Sequence, residues 1–423
     1  MNIGPAPDSL DVPPLKAESR PYEVLRNRDL CLYLLGRLFA SLGQQMLTVA
    51  VGWELYERTG SALNLGLVGL TQMAPMILCT LPAGHVADNF NRKRIIILMN
   101  LVIGLASAGL SWISYTRAPI GWIYFCLFAA GLARTFLWPA SSAFLPQLVS
   151  RRDFSKAVTW SSGTFQLSSV AGPAAGGALI ALLGHVAWPV YALNAAASLL
   201  CLILIGFVRR DHVVIAREKM TLTSLIVGFR FVFASPIILG TITLDLFAVL
   251  LGGATALLPV YAKDILHAGP SGLGYLQAAL PAGSLLCALI LAHRPPLQKA
   301  GRTMLWAVTG FGLATIGFGV SHVFWLSFVM LFICGVVDNV SVVVRHTLVQ
   351  LLTPDEKRGR VSAVNSLFIG TSNELGGFES GLVAYLFTPM FSVVSGGVGT
   401  ILVVLAVALT WPQIRKYGRL DAG

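Results

Sequence analysis

Arg37, Arg134, Asp245, Asp338, Arg345, Glu374 and Glu379 stand inside otherwise apolar stretches. An ionised group at mid-membrane costs at least about 2.5 to 3.5 kcal/mol on insertion scales, so each must face a wet cavity or a partner of opposite sign. The carboxylates Asp245, Asp338, Glu374 and Glu379 are candidates to take up and release a proton as their solvation changes. Arg134, near the middle of its segment, can favour ionisation of a nearby carboxylate, attract an anion, or serve only a structural ion pair. Asp338 and Arg345 are one heptad apart, so both point to nearly the same side and can bind neighbouring helices or each other through water. His346 lies about 100° round the helix from Arg345 and reads as a hydrogen-bonded structural residue. Glu374 and Glu379 are about 140° apart and cannot share one narrow face. Glu374 shares a side with Gly370, Gly377 and Gly381, a surface for close helix contact. Both glutamates also admit a plainer role as neutral, hydrogen-bonded packing elements.

Two polar stripes accompany these groups. Arg37, Ser41, Gln44, Thr48 and Gly52 fall in a narrow angular sector at helical spacing, and Thr241, Asp245, Gly252 and Thr255 do the same further on. They are expected to wall a central cavity, with Arg37, Ser41, Gln44, Thr48, Thr241 and Arg345 as candidate substrate contacts.

The elements that position them are set by composition. The 423 residues are 55% hydrophobic and 12% charged, with a mean hydropathy of +0.74. That leaves too little polar surface for a water-soluble enzyme. Apolar segments run over 31–57, 64–86, 94–115, 120–148, 153–182, 187–208, 236–262, 270–292, 302–320, 323–352, 361–387 and 390–412, each long enough to cross about 30 Å of hydrocarbon as a helix. The fold class is therefore an all-α membrane protein with twelve transmembrane helices, and both termini fall on one side. If that side is the cytoplasm, 24 of the 30 Lys and Arg residues lie inside and only Arg58, Arg117 and Lys263 outside. The net charge of +11 is thus explained by topology, which argues against a nucleic-acid partner. Trp53, Trp112, Trp122, Trp188 and Trp325 near the outer ends, and Trp160, Trp306 and Trp411 near the inner ends, read as interfacial anchors. Cys31, Cys79, Cys126, Cys201, Cys287 and Cys334 have no metal-ligand spacing and read as reduced, apolar side chains.

The chain repeats itself. PQLVSRRDFSKAVT at residues 146–159 aligns with VQLLTPDEKRGRVS at 349–362, and each copy carries a capping box, Ser150 with Asp153 and Thr353 with Glu356. Pro354 is expected at the first helical position. Pro75 aligns more weakly with Pro281. The offset sets Glu379 on Gly176, at the expected seam between halves. The expected organisation is a disordered cytoplasmic tail (1–29), a six-helix bundle (30–208), a cytoplasmic linker (209–235) and a second six-helix bundle with a short tail (236–423). A duplicated six-helix unit with a pathway between its halves is an architecture that permits alternating access.

Between the second and third segments stands GHVADNFNRKR (84–94). It resembles the signature loop of the major facilitator superfamily, G-x-L-A-D-R-x-G-R-K-R, with Val86, Asn89 and Asn91 as departures. The resemblance implies two pseudo-symmetric bundles and a cytoplasmic gate of Gly84, Asp88, Arg92, Lys93 and Arg94. In it Asp88 meets the positive end of the helix that begins near Thr353. The equivalent loop AHRPPLQKAGR (292–302) lacks the acid. SSVAGPAAGG (168–177) resembles the glycine-proline motif associated with antiporters and exporters, and its small residues allow close helix approach. In this superfamily's antiporters a basic residue linked to proton movement sits where Arg134 stands. TGSALNLGLVGL, GLARTFLWPASSAFLPQLV and NELGGFESG resemble the bacterial branch of enterobactin exporters and macrolide-efflux-like proteins, over nearly the whole chain after about residue 25.

The resemblance implies a proton-coupled secondary exporter of a small amphipathic molecule such as a siderophore or drug. An importer, an uncoupled facilitator of molecules such as lysolipids, and a non-transporting receptor or scaffold are the alternatives. The expected setting is a bacterial inner membrane, with a monomer meeting lipid, a small-molecule substrate and protons, and with no cofactor, metal or nucleic acid. No GxxxxGK[ST] loop is present for nucleotide hydrolysis.

Overall fold

In hydrocarbon the backbone must satisfy its own polar groups, and the apolar stretches wind into long helices accordingly. A computed structural model describes residues 22–209, 222–294 and 298–418. The first half contains α1 (Arg28–Thr59), α2 (Ala62–Asn89), α3 (Arg92–Thr116), α4 (Gly121–Leu148), α5 (Phe154–Leu182) and α6 (Trp188–Gly206). Then follow α7 (Leu222–Ala234), α8 (Pro236–Leu251), α9 (Leu258–Val260), α10 (Gly269–Ala292), α11 (Ala300–Gly319), α12 (Phe324–Leu352), α13 (Asp355–Leu386), α14 (Pro389–Thr410) and α15 (Pro412–Lys416). Among the described residues ten spans are long and apolar enough to cross a membrane, with α8 through Ile265 counted as one. The long helices α11 and α13 fall short of that standard.

Starts and stops follow local chemistry. The Asn27 side-chain oxygen Oδ1 accepts from the amides of Asp29 and Leu30 to begin α1, and Gly60, at φ 59°, ends it. Of the first expected capping box only half forms: the Ser150 hydroxyl accepts from the Asp153 amide at 3.2 Å and donates to its carboxylate at 2.8 Å, but Asp153, not Ser150, is the residue that precedes α5. The second box differs. Pro354 is the residue before the helix rather than its first member, and the buried Thr353 hydroxyl has no hydrogen-bond partner. The Glu356 side chain lies outside the described residues.

Three boundaries depart from expectation. The stretch 236–262 is not one helix: α8 ends at Leu251, a 3-10 turn spans Ala254–Leu257, and a π-helical turn spans Tyr261–Ile265. Gly252 and Gly253 are poor helix formers, and Pro259 has no amide to donate. Part of the supposed polar linker is the helix α7, whose Phe229 packs on Phe368 of α13 with ring centroids 5.9 Å apart. At the N-terminus, the tail expectation covers residues 1–21, which lie outside the described set, but fails beyond them. Tyr22 stacks near Trp160, and Val24 is buried.

Helices α1 to α6 pack as one bundle and α8 to α14 as another, and the bundles meet where α2 lies on α13 and α5 on α10. These are the second and fifth long helices of each half, so the seam obeys the internal repeat. At the face away from the chain ends, one apolar core runs through both bundles, from Trp53, Leu110 and Tyr191 to Tyr261, Phe318 and Val393. At the face bearing the chain ends the cores are separate, one in the first bundle and two in the second. The molecule is therefore sealed at the far face. Trp53, expected as an interfacial anchor, is buried in that seal with an edge-on contact to His185. Trp112, Trp122, Trp306 and Trp325 are exposed as anchors should be.

Candidate functional site

Glycines set how closely the halves approach. A Cβ on Gly177 of α5 would lie 2.9 Å from Gly274 Cα of α10, and one on Gly381 of α13 would lie 2.8 Å from Gly66 Cα of α2. The two crossings are counterparts under the internal repeat. Gly176, by contrast, faces Met46 of α1 within its own bundle. The repeat argument that set Glu379 at the seam through Gly176 therefore does not hold. The hydrogen bond recorded for Glu379 comes from Ser380, at 3.4 Å.

Beneath the far-face seal lies a cavity of about 380 Å³ whose walls come from both bundles. Gln44, Gln45, Thr48, Gln72 and Arg134 line it from the first half, and Thr255, Gln277, Asn373 and Glu374 from the second. Arg134 donates to the Gln72 side-chain carbonyl. Glu374 rises from α13 beside Gly69 of α2, where a side chain has no room, and lines the same cavity as Arg134. A cation from one half and a carboxylate from the other thus line one cavity.

The stripe on α1 divides. Gln44, Thr48 and Gly52 line this cavity, whereas Arg37 and Ser41 line a second one of about 200 Å³ inside the first bundle. The later stripe mostly fails as a cavity wall. Thr241 is buried and donates to the Ile238 carbonyl at 2.9 Å, and Asp245 is buried in an ion pair with Arg345 of α12. The break after Leu251 explains this: Thr255 comes to the cavity from the 3-10 turn, while α8 is enclosed by α7, α12, α13 and α14. Arg345 therefore braces the second bundle instead of facing the cavity. Asp338 does not line the cavity either, but is electrostatically coupled to the Asp245 and Arg345 pair.

Removing one member of a buried pair strands a charge, at a cost of about 3 to 5 kcal/mol. Arg345→Met should accordingly lower the melting temperature of the solubilised protein sharply. The double change with Asp245→Leu should recover most of the loss, which a thermal melt can check.

The gate residues act first within their own bundle. Gly84 is buried near the end of α2. The Arg92 guanidinium donates to the carbonyls of Ala87 at 3.2 Å and Ala143 at 3.3 Å, tying α2 to α4. Lys93 Nζ donates to the carbonyls of Gly206 at 2.9 Å and Val208 at 2.6 Å, a cation at the negative end of α6. The Arg94 amide is capped by Asn91. Asp88 is half-buried on α2, which packs along α13.

The cavity residues missed by sequence reasoning are amides: Gln45, Gln72, Gln277 and Asn373. A neutral amide in an apolar segment carries a weaker alarm than a charge. Their signal lay in spacing, since Gln45 adjoins the α1 stripe and Asn373 adjoins Glu374.

Residues 20–419 match the family model described as transmembrane secretion effector, a branch of the major facilitator superfamily. The chain belongs to that family. Among curated relatives, the enterobactin exporter EntS of Escherichia coli O1:K1 / APEC is 28% identical over 389 residues, covering 90% of this chain and 92% of that protein. EntS of Shigella flexneri is 28% identical over 390 residues, with the same coverage. The fold is shared with a bacterial homologue of the human lysosomal transporter Spinster in an inward-facing, unoccupied conformation. That structure gives a TM-score of 0.67 at 14% identity, covering 94% of this chain and 97% of that one. A POT family transporter in complex with 5-aminolevulinic acid gives 0.73 at 11% identity, covering 92% and 97%. The family and its relatives are transporters, not enzymes.

Proposed function

We propose that this protein is a proton-coupled secondary transporter that exports a small amphipathic molecule by alternating access. Its substrate belongs to the class to which siderophores belong, given the likeness to enterobactin exporters. The observation that carries this reading is the inter-bundle cavity, sealed at the far face and lined by Arg134 from one half and Glu374 from the other. With the basic loops in the cytoplasm of a bacterial inner membrane, both termini lie inside and the cavity faces the cytoplasmic supply of substrate.

Rocking the bundles moves Glu374 relative to Arg134. Glu374 carries its charge while it faces the arginine and accepts a proton when rocking withdraws it, so proton occupancy and conformation bias each other. A proton taken from outside returns the carrier to the present conformation and leaves toward the cytoplasm. Substrate bound in the cavity then accompanies the opposite swing. Asp88 closes the cytoplasmic side in that swing by meeting the positive end of α13. The unit is a single chain.

The test is flux from proteoliposomes under an imposed pH gradient, with enterobactin as first probe and a panel of siderophores, drugs and lysolipids beside it. Glu374→Gln should abolish the response to the gradient while leaving substrate exchange at equal pH. If that variant responds to the gradient as the unaltered protein does, coupling through Glu374 is wrong. Flux indifferent to pH in both proteins marks an uncoupled facilitator.

A further inference from the structure

We propose that the chamber inside the first bundle is an anion subsite, seating a negatively charged, ring-sized group of the transported molecule against Arg37. It rests on the transport function proposed above and names the chemistry of one end of the substrate. The chamber holds about 200 Å³ between α1, α3, α4, α5 and α6. A cavity of about 150 Å³ accommodates benzene, so a substituted aromatic ring fits this one. Tyr33, Trp138 and Phe165 supply flat apolar walls, and Asn100, Ser141 and Ser198 supply polar edges.

Arg37 is a cation without a carboxylate. Its Nη1 donates to the Tyr33 hydroxyl at 3.0 Å, and that hydroxyl donates to the Ser141 carbonyl at 3.2 Å. Ion pairs join Arg58 to Glu54, Lys156 to Asp153 and Arg345 to Asp245, none of them at this chamber, and no acid is among the residues that line it. A guanidinium held within a membrane bundle by a neutral phenol retains donors in a fork that matches a carboxylate, sulfonate or phosphate. Gln44, Gln45 and Arg134 border both this chamber and the central cavity, so a molecule in the centre can extend one group inward. An amphipathic molecule would bridge the two spaces, its charged ring on Arg37 and the rest between the bundles.

The probes are naphthalene-2-sulfonate and its neutral sulfonamide, which share a ring system and differ in charge. Binding is measured by equilibrium dialysis on purified full-length protein in neutral detergent, against protein-free micelles. The unaltered protein should bind one sulfonate per chain with a preference over the sulfonamide of about tenfold or more, the range of a charge-assisted hydrogen bond. Arg37→Gln should erase the preference while sulfonamide binding persists as the measure of an intact fold, and Arg37→Lys should restore part of it. Ser141→Phe, which fills the chamber and leaves Arg37 in place, should block both probes.

A preference that survives Arg37→Gln, or an unaltered protein that shows none, overturns the subsite. Because this binding needs no gradient, the two ideas fail separately. Retained pH-driven flux with no sulfonate preference removes the subsite alone, whereas sulfonate binding without flux of any substrate removes the transport function alone.

Discussion

Gly177→Val should leave the protein folded in the membrane and lower its flux by about 10- to 100-fold, the population change that about 1 to 3 kcal/mol of overpacking produces. A Cβ at this position meets backbone, with Gly274 Cα and the Gly274 nitrogen both at 2.9 Å and the Pro270 carbonyl nearer still. No flexible side chain can yield. The clash belongs to the conformation sealed at the far face, and the strain is relieved when the ends of α5 and α10 part. Valine therefore selects the opposite conformation rather than unfolding either bundle. Gly163→Val, on the same helix with open space around it, is the control and should leave flux unchanged. A cysteine placed at Gln277 on the cavity wall reads the same shift. In the Gly177→Val protein it should react faster with an impermeant thiol reagent supplied from the far face. Equal labelling rates would show that this crossing does not hold the seal.

Gly177 also shows what one dimension can and cannot convey. The small-residue motif at 168–177 announced one close helix contact, and Gly370, Gly377 and Gly381 announced another. Helical period fixes which residues share a face, but not which helix that face meets. Gly176 and Gly177, adjacent in sequence, consequently serve different neighbours. The same limit governs the charges. Arg134 and Glu374 were both recognisable as groups lipid would reject, yet their common cavity arises only when α4 and α13 are brought to the seam between bundles. Arg345 found Asp245 on α8, one hundred residues earlier, instead of Asp338 on its own helix, because α8 packs into the second bundle beside α12. The break after Leu251 was foreshadowed by Gly252, Gly253 and Pro259, but a hydropathy window averages over such punctuation. Helix α7 was hidden for a related reason: at 13 residues it is too short to span, and it follows a polar stretch.

On the proton coupling proposed above, Arg134→Met should have the largest effect. Methionine conserves much of the bulk of the side chain but removes the cation that bonds Gln72 and lines the cavity with Glu374. An ionised carboxylate then stands in the membrane interior without compensation, at about 2.5 to 3.5 kcal/mol, so the charged form becomes about 100-fold rarer and proton-driven flux falls in proportion. The loss has a signature that a damaged fold would not show. Adding Glu374→Gln to Arg134→Met should change little further, because the carboxyl is already held neutral, and single and double variants alike should keep substrate exchange at equal pH while ignoring the gradient. A double-mutant cycle on gradient-driven flux should therefore be strongly non-additive. Additive losses would mean that the two groups act apart. The contrast with Arg345→Met is sharp, because that change strands Asp245 within one bundle and lowers the melting temperature. The pair inside a bundle holds structure, whereas Arg134 and Glu374 stand on different bundles and, in the proposed cycle, part with the motion that carries substrate.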